Sequence, residues 1–150
     1  MSAMEKQREL VAALLRAQST LALSTVDAEK AVSAAPLFYI AEEDLTLYWL
    51  SSTASEHSVN LLREPRAAVA IYRDTDNWKK IRGVQMRGVV AEVVDPAHRK
   101  RVIERYCERF QLGTVFRLAI SQSALYAFRP AWIRYIDNAR HFGYKFEIEL

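Results

Sequence analysis

Between Thr20 and Leu50 the chain reads TLALSTV, AVSAAPLFYIA and LTLYWL, three apolar runs parted only by polar stretches at residues 27–30 and 42–44. Connections that short turn a strand back beside itself, because a parallel return needs a crossover of about a dozen residues or more. Three strands in hairpin succession are therefore predicted. Residues 66–73 and 81–94 read as two more strands joined by a polar loop at 74–80, the second long enough to need a bulge at Gly88. Residues 124–128 and 132–136 look like two final strands around Pro130, and 146–149 add a short edge.

The helices punctuate this series. Ser2 and Glu5 stand at capping-box spacing, and Leu10, Val11, Leu14 and Leu15 recur at helical intervals, predicting an amphipathic helix over residues 3–18. Residues 55–64 read as a short helix capped by Thr53 or Ser55 and stopped by Pro65. Asp95 and Pro96 open a third, with Val102, Ile103, Tyr106 and Phe110 on one face. Residues 114–121 match no single pattern. Six or seven strands that mostly follow one another directly describe a mainly β fold, an antiparallel sheet closed or nearly closed into a barrel with helices outside. The aromatics Tyr48, Trp49, Tyr126, Phe128, Trp132 and Tyr135 would fill its core or form a dimer interface, and composition does not choose between them.

At 150 residues the chain is one domain's worth, and four glycines and four prolines leave nothing to excise as a linker. The start lacks the pattern of a signal peptide, no run approaches a membrane span, and a lone cysteine, Cys107, makes no internal disulfide, so a reducing, cytoplasmic location is expected. A net charge of +3, scattered along the chain, is a weak footprint for nucleic acid. His57, His98 and His141 have no neighbours at metal spacing, so no metal site is expected, and the charge run at 98–101 reads as a solvated helix face. None of the four glycines forms a dinucleotide-binding or P-loop motif.

Chemistry concentrates at SSTASEH. Ser51, Ser52, Thr53 and Ser55 offer hydroxyls, and the imidazole of His57 and the amides of a helix start follow, a combination suited to phosphate. The same hydroxyls could serve only as caps, since Thr53 and Glu56 also have capping-box spacing. A serine nucleophile with His57 as base is a third reading, without a nucleophile elbow to support it. Further along, Arg82, Gln85 and Arg87 interrupt an apolar strand and call for partners. Asp137, Asn138, Arg140 and His141 crowd among aromatics in what reads as a surface loop turning at Gly143.

Taken in order, SEHSVNLLREPRAAV, RGVQMRG and YIDNARHFG resemble the pyridoxamine 5′-phosphate oxidase-like family of FMN-binding split barrels, in its small uncharacterised bacterial branches. The likeness runs from Leu21 to the aromatic end. It implies a six-stranded antiparallel split barrel forming a single flavin-binding domain over residues 1–150. It further implies a homodimer with an FMN in each of two interface clefts, acting on a small molecule as an oxidoreductase. By position, Ser51, Ser52, Ser55 and His57 would hold the phosphate, Gln85 would touch the ring, and Ala35 to Ile40 would run beside it. The vitamin-forming oxidases carry an arginine and a lysine where this chain has Ala35 and Ile40. They place arginine, lysine and glutamine where Glu56, His57 and Gly83 stand. Those departures argue against vitamin B6 synthesis and motivate an alternative, a non-catalytic module binding haem or a deazaflavin, with His57 or His141 as the haem ligand.

Overall fold

The computed structural model describes all 150 residues, Met1–Leu150. A first helix, α1 (Ala3–Ala17), opens on the expected capping box: Glu5 N–H donates to Ser2 Oγ at 3.1 Å and Ser2 N–H to Glu5 Oε2 at 3.1 Å. Its apolar stripe, Val11, Leu14 and Leu15, is buried. Then β1 (Thr20–Val26) and β2 (Val32–Phe38) form the predicted hairpin, closed by Asp27, whose Oδ1 accepts from Glu29 N–H at 2.8 Å and Ala31 N–H at 2.9 Å.

The second apolar run does not stay one strand. Tyr39 turns into the core and donates its hydroxyl to the Leu15 carbonyl at 2.6 Å, and the chain bends away from β1 into β3 (Ile40–Ala41). This pairs with β4 (Leu47–Ser51), so Ile40 faces Tyr48 and Ala41 faces Leu47. Next come α2 (Glu56–Arg63), β5 (Arg66–Tyr72), a 3-10 turn at Trp78–Lys80, and β6 (Arg82–Glu92). Two helices, α3 (Pro96–Phe110) and α4 (Thr114–Ser121), precede β7 (Ala124–Asp137) and β8 (Lys145–Glu149).

All ladders are antiparallel, in the order β2-β1-β5-β6-β7-β4-β3, with β8 also on β7. The result is a curled half-barrel with flanking helices, a split barrel with eight strands rather than six. The excess comes from the small pieces β3 and β8. In the other direction, the two strands expected around Pro130 are one. β7 runs through because Arg87 pairs with Trp132 while Gly88 pairs with Pro130, leaving Ala131 as the extra residue of a bulge. Pro130, which has no N–H to offer, sits where a ladder is already interrupted.

Two apolar clusters lie on opposite faces of β4 and the first half of β7. Inside, Leu47, Trp49, Tyr126 and Phe128 meet α1 and the inner faces of β1, β5 and β6. Outside, Tyr48, Leu125 and Ala127 receive Val102 and Tyr106 of α3. Each fully buried large side chain contributes about 1.5–3 kcal/mol. Five of the six aromatics weighed as an interface thus fill these cores, leaving Trp132 half-exposed. The buried Trp49 indole N–H has no acceptor, a desolvation cost of about 1–3 kcal/mol. His98 is not merely solvated, since its Nε2 lies 3.2 Å from the Tyr48 hydroxyl and its ring meets Tyr48 edge-on.

Gly88 is held by close approach. A Cβ there would lie 2.2 Å from the Arg129 carbonyl oxygen, whereas one on Gly113 would meet nothing within 4 Å. Gly88→Ala should therefore lower stability by about 1–3 kcal/mol or more. Gly113→Ala should stay within about 0.5 kcal/mol of wild type, as read by urea unfolding of the two variants side by side.

Candidate functional site

Where β4 ends, four residues turn the chain into α2, and serine hydroxyls close that turn. Ser52 Oγ accepts from Ala54 N–H at 3.1 Å, and the Ser52 carbonyl accepts from Ser55 N–H at 3.2 Å and from the Ser55 hydroxyl at 2.8 Å. Because Ser55 spends its side chain backwards on this turn, it stands at the N-cap of α2 without capping it. The Thr53–Glu56 capping box does not form. The first amide of the helix to find an acceptor is that of Val59, bonded to the Ser55 carbonyl at 3.0 Å. The N–H groups of Glu56, His57 and Ser58 are left without one, at the positive end of the helix dipole, the arrangement that attracts anions.

Four side chains gather beside those amides. His57 Nε2 lies 2.8 Å from Ser51 Oγ and 3.2 Å from Ser55 Oγ, and Ser55 Oγ lies 2.7 Å from Ser58 Oγ. Ser51 and Ser58 are buried, and Ser52 and Thr53 are exposed on the turn. Burial holds the His57 imidazole below its ordinary pKa, only partly opposed by the neighbouring Glu56 carboxylate, so it is neutral at pH 7. Neutral His57 can take the Ser51 proton, yet no carboxylate orients its other nitrogen, so the pair lacks the third member of a hydrolytic triad. The helix itself is pinned to the barrel: Asn60 Nδ2 donates to Thr25 Oγ1 at 3.1 Å, Arg63 to the Val26 carbonyl at 3.2 Å, and Leu61 enters the core.

Of the residues picked from sequence, Ser51, Ser55 and His57 come together and Ser52 shapes the turn beside them. Gln85 lies elsewhere, on the outer face of β6, where its Oε1 accepts from Arg134 at 3.4 Å. That face has a floor of small residues, Ala22, Ala68 and Ala70, walled by Arg87, Trp132 and Arg134 around a cavity of about 350 Å³. Arg87 stacks over Trp132 at 4.1 Å, and Arg134 pairs with Glu147 at 2.8 Å. Arg82 reaches the buried Asp137 carboxylate at 3.4 Å, so all three polar residues of the strand find neighbours. Asp137 also ties the C-terminal turn, accepting from Ala139 N–H at 3.0 Å, while Asn138 donates to the Trp78 carbonyl at 2.9 Å. His141 is exposed there. Ser58 and Asn60 were missed in sequence. Ser58, one turn on from Ser55, carried the available signal, whereas Asn60 finds its partner in Thr25, 35 positions away, and had no local one.

The fold is a split barrel, a β-barrel opened along one side, and residues 7–137 match the pyridoxamine 5′-phosphate oxidase family. The chain belongs to that family. No curated protein matches it. Among solved structures, ChuZ of Campylobacter jejuni superposes with a TM-score of 0.81 at 14% identity over 99% of this chain and 61% of its own. HutZ, a haem storage protein of Vibrio cholerae, gives 0.68 at 19% identity, covering 81% and 88% of the two chains. General Stress Protein 26 of Bacillus anthracis gives 0.69 at 17% identity, covering 95% and 98%. These likenesses are of fold.

The depressed His57 pKa has a consequence for stability. The unfolded chain binds the proton first, so stability falls as pH drops through the ordinary imidazole pKa of about 6.5 toward the lower folded value. Urea melts from pH 7.5 to 4.5 should show this loss, and His57→Gln should flatten its upper portion.

Proposed function

We propose that this chain binds FMN and serves as a flavin-dependent oxidoreductase on a small molecule, the phosphate of the cofactor held at the Ser51–His57 corner. One observation carries the reading: the first turn of α2 keeps three amides free, and beside them stand hydroxyls whose present bonds, to the turn and to His57, an arriving anion would replace. In a family whose name is a phosphate-ester oxidase, that is a donor set looking for an anion. The amides of Glu56, His57 and Ser58 with the hydroxyls of Ser51, Ser52 and Ser55 would hold the phosphate. His57, on gaining a dianion beside it, would take up a proton and add a charge-assisted contact. The flavin supplies hydride and electron transfer; the protein binds, orients and excludes water.

The reading includes a homodimer in a reducing, cytoplasmic setting. No helix is long and apolar enough to cross a membrane. The outer sheet face, floored by Ala22, Ala68 and Ala70 and flanked by exposed Val32, Tyr72 and Val89, allows a second copy to approach closely. Gln85, on that face, would then border the cleft between subunits and reach a ring held there. Ala68 is exposed, so Ala68→Glu should leave the fold intact but give a monomer in sedimentation experiments, with FMN retention lost. A stable dimer carrying this change would remove the face from consideration.

Purified protein should show flavin absorption or quench the fluorescence of added FMN. Ser55→Ala and His57→Ala should each weaken FMN about tenfold or more, from about 1.5–3 kcal/mol per hydrogen bond to a charged group, with both variants still folded by circular dichroism and Ser55→Ala melting lower because it also loses the bond to the Ser52 carbonyl. Unchanged affinity in both variants would sink the site. HutZ's description as a haem storage protein makes the spectrum as isolated decisive. A Soret band in place of flavin bands would install haem as the ligand, with exposed His141 the accessible imidazole, and a deazaflavin would show its own band.

A further inference from the structure

At the other end of β4 from Ser51, a separate cavity of about 290 Å³ opens between α1 and α3. Its floor is Leu15, Tyr39, Ile40 and Ala41, and its walls carry Arg16 from α1 and Arg105 and Arg109 from α3, with Gln18 beside them. No acidic residue lines it. Arg105 donates to Glu42 at 3.0 Å, just outside, whereas Arg16 and Arg109 have no carboxylate within bonding range.

Two arginines without a carboxylate partner, Arg16 and Arg109, line one small cavity with a third, Arg105, that is paired at its edge, and like charges so close are an unfavourable arrangement by themselves. Arg105 and Arg109 stand at i,i+4 on one helix face, where like charges destabilise. Arg16 and Arg109 each lie in the last turn of a helix, where the dipole favours a cation, but that explains their presence at the helix ends and not their sharing of a cavity. The Arg109 charge also reaches Tyr39 on the floor, partly opposing the upward push of burial on that phenol. The Tyr39 hydroxyl itself is committed to Leu15, so the available donors are guanidinium and amide groups. Such forks match carboxylate and phosphate oxygens in paired hydrogen bonds.

From this juxtaposition we infer that the α1–α3 cavity is a second ligand site, for a small organic dianion of the short dicarboxylate or phosphomonoester class. The volume sits at the lower end of small-molecule pockets, about 300 Å³ upward, and the apolar floor accepts a body of a few carbons. The site is independent of the Ser51–His57 corner and does not need the flavin reading.

The test is thermal stabilisation and calorimetric titration of the full chain with succinate and with inorganic phosphate, against sodium chloride at matched ionic strength. At least one dianion should stabilise the protein saturably beyond chloride. In R16Q/R109Q its apparent affinity should fall about tenfold or more, the scale of one lost charge-assisted pair, while His57→Ala leaves it unchanged. Succinate alone would assign the dicarboxylate class, phosphate alone the phosphomonoester class. Absence of any effect beyond chloride overturns the site, as does full retention of binding in R16Q/R109Q. A phosphate effect lost in His57→Ala and kept in R16Q/R109Q would place that anion at the α2 corner, also overturning this inference for phosphate. The arginines are exposed, and single R16Q and R109Q variants provide the same comparison if the double variant melts early.

Discussion

Everything in this molecule hangs on the two edges of β7. Along one edge it pairs with β6 over almost its whole length; along the other its first half holds β4 and its second half holds β8. A single strand can do this only by bending, and the bulge at Ala131 opposite Arg87 and Gly88 supplies the bend. Its first half carries apolar side chains on both faces, Leu125 and Ala127 toward α3, Tyr126 and Phe128 toward the barrel interior. The second core forms where α3 covers the outer face of β4 and the first half of β7.

The candidate corner depends on the same frame. β4 is fixed in register by β7, with Ser51 opposite Ala124, and α2 is fixed to β1 through Asn60 and Arg63. Between these anchors the turn has little freedom, and its hydroxyls satisfy the turn before they can satisfy the helix. An uncapped helix start is ordinarily a cost of about 0.5–2 kcal/mol. Here it is retained beside a neutral histidine, which is the physical case for an anion at that point. The cavity at the opposite end of β4 is a second place where the chain keeps donors without a carboxylate, this time the charged Arg16 and Arg109.

Local patterns were read well wherever one neighbour decides the outcome. The Ser2–Glu5 capping box, the β1–β2 hairpin, the α2 stop at Pro65 and the Asp95–Pro96 start all follow from contacts within a few residues. Where a distant partner decides, the reading went astray. Pro130 looked like a break because the bulge that tolerates it depends on β6. The split at Tyr39 depends on a bond to Leu15, and His98 looked solvated because Tyr48, its partner, is fifty positions away. At the corner, Ser51, Ser55 and His57 were legible as a cluster, but whether Ser55 caps α2 or closes the turn could not be told from spacing.

Hydrophobic period, turn residues and the motifs around Asn60 and Pro65 were enough to determine an antiparallel barrel and its family, because these are properties of short segments. Only the tertiary structure decided which hydroxyls remain available and that Gln85 faces outward away from Ser51. It also decided that the aromatics of β4 and β7 are divided between two cores. The physical reason is that a side chain's hydrogen-bonding capacity is finite. Its competitors for that capacity, here the Ser52 carbonyl, the His57 imidazole and Ser58, come within reach only once β4 and α2 are anchored to the rest of the barrel.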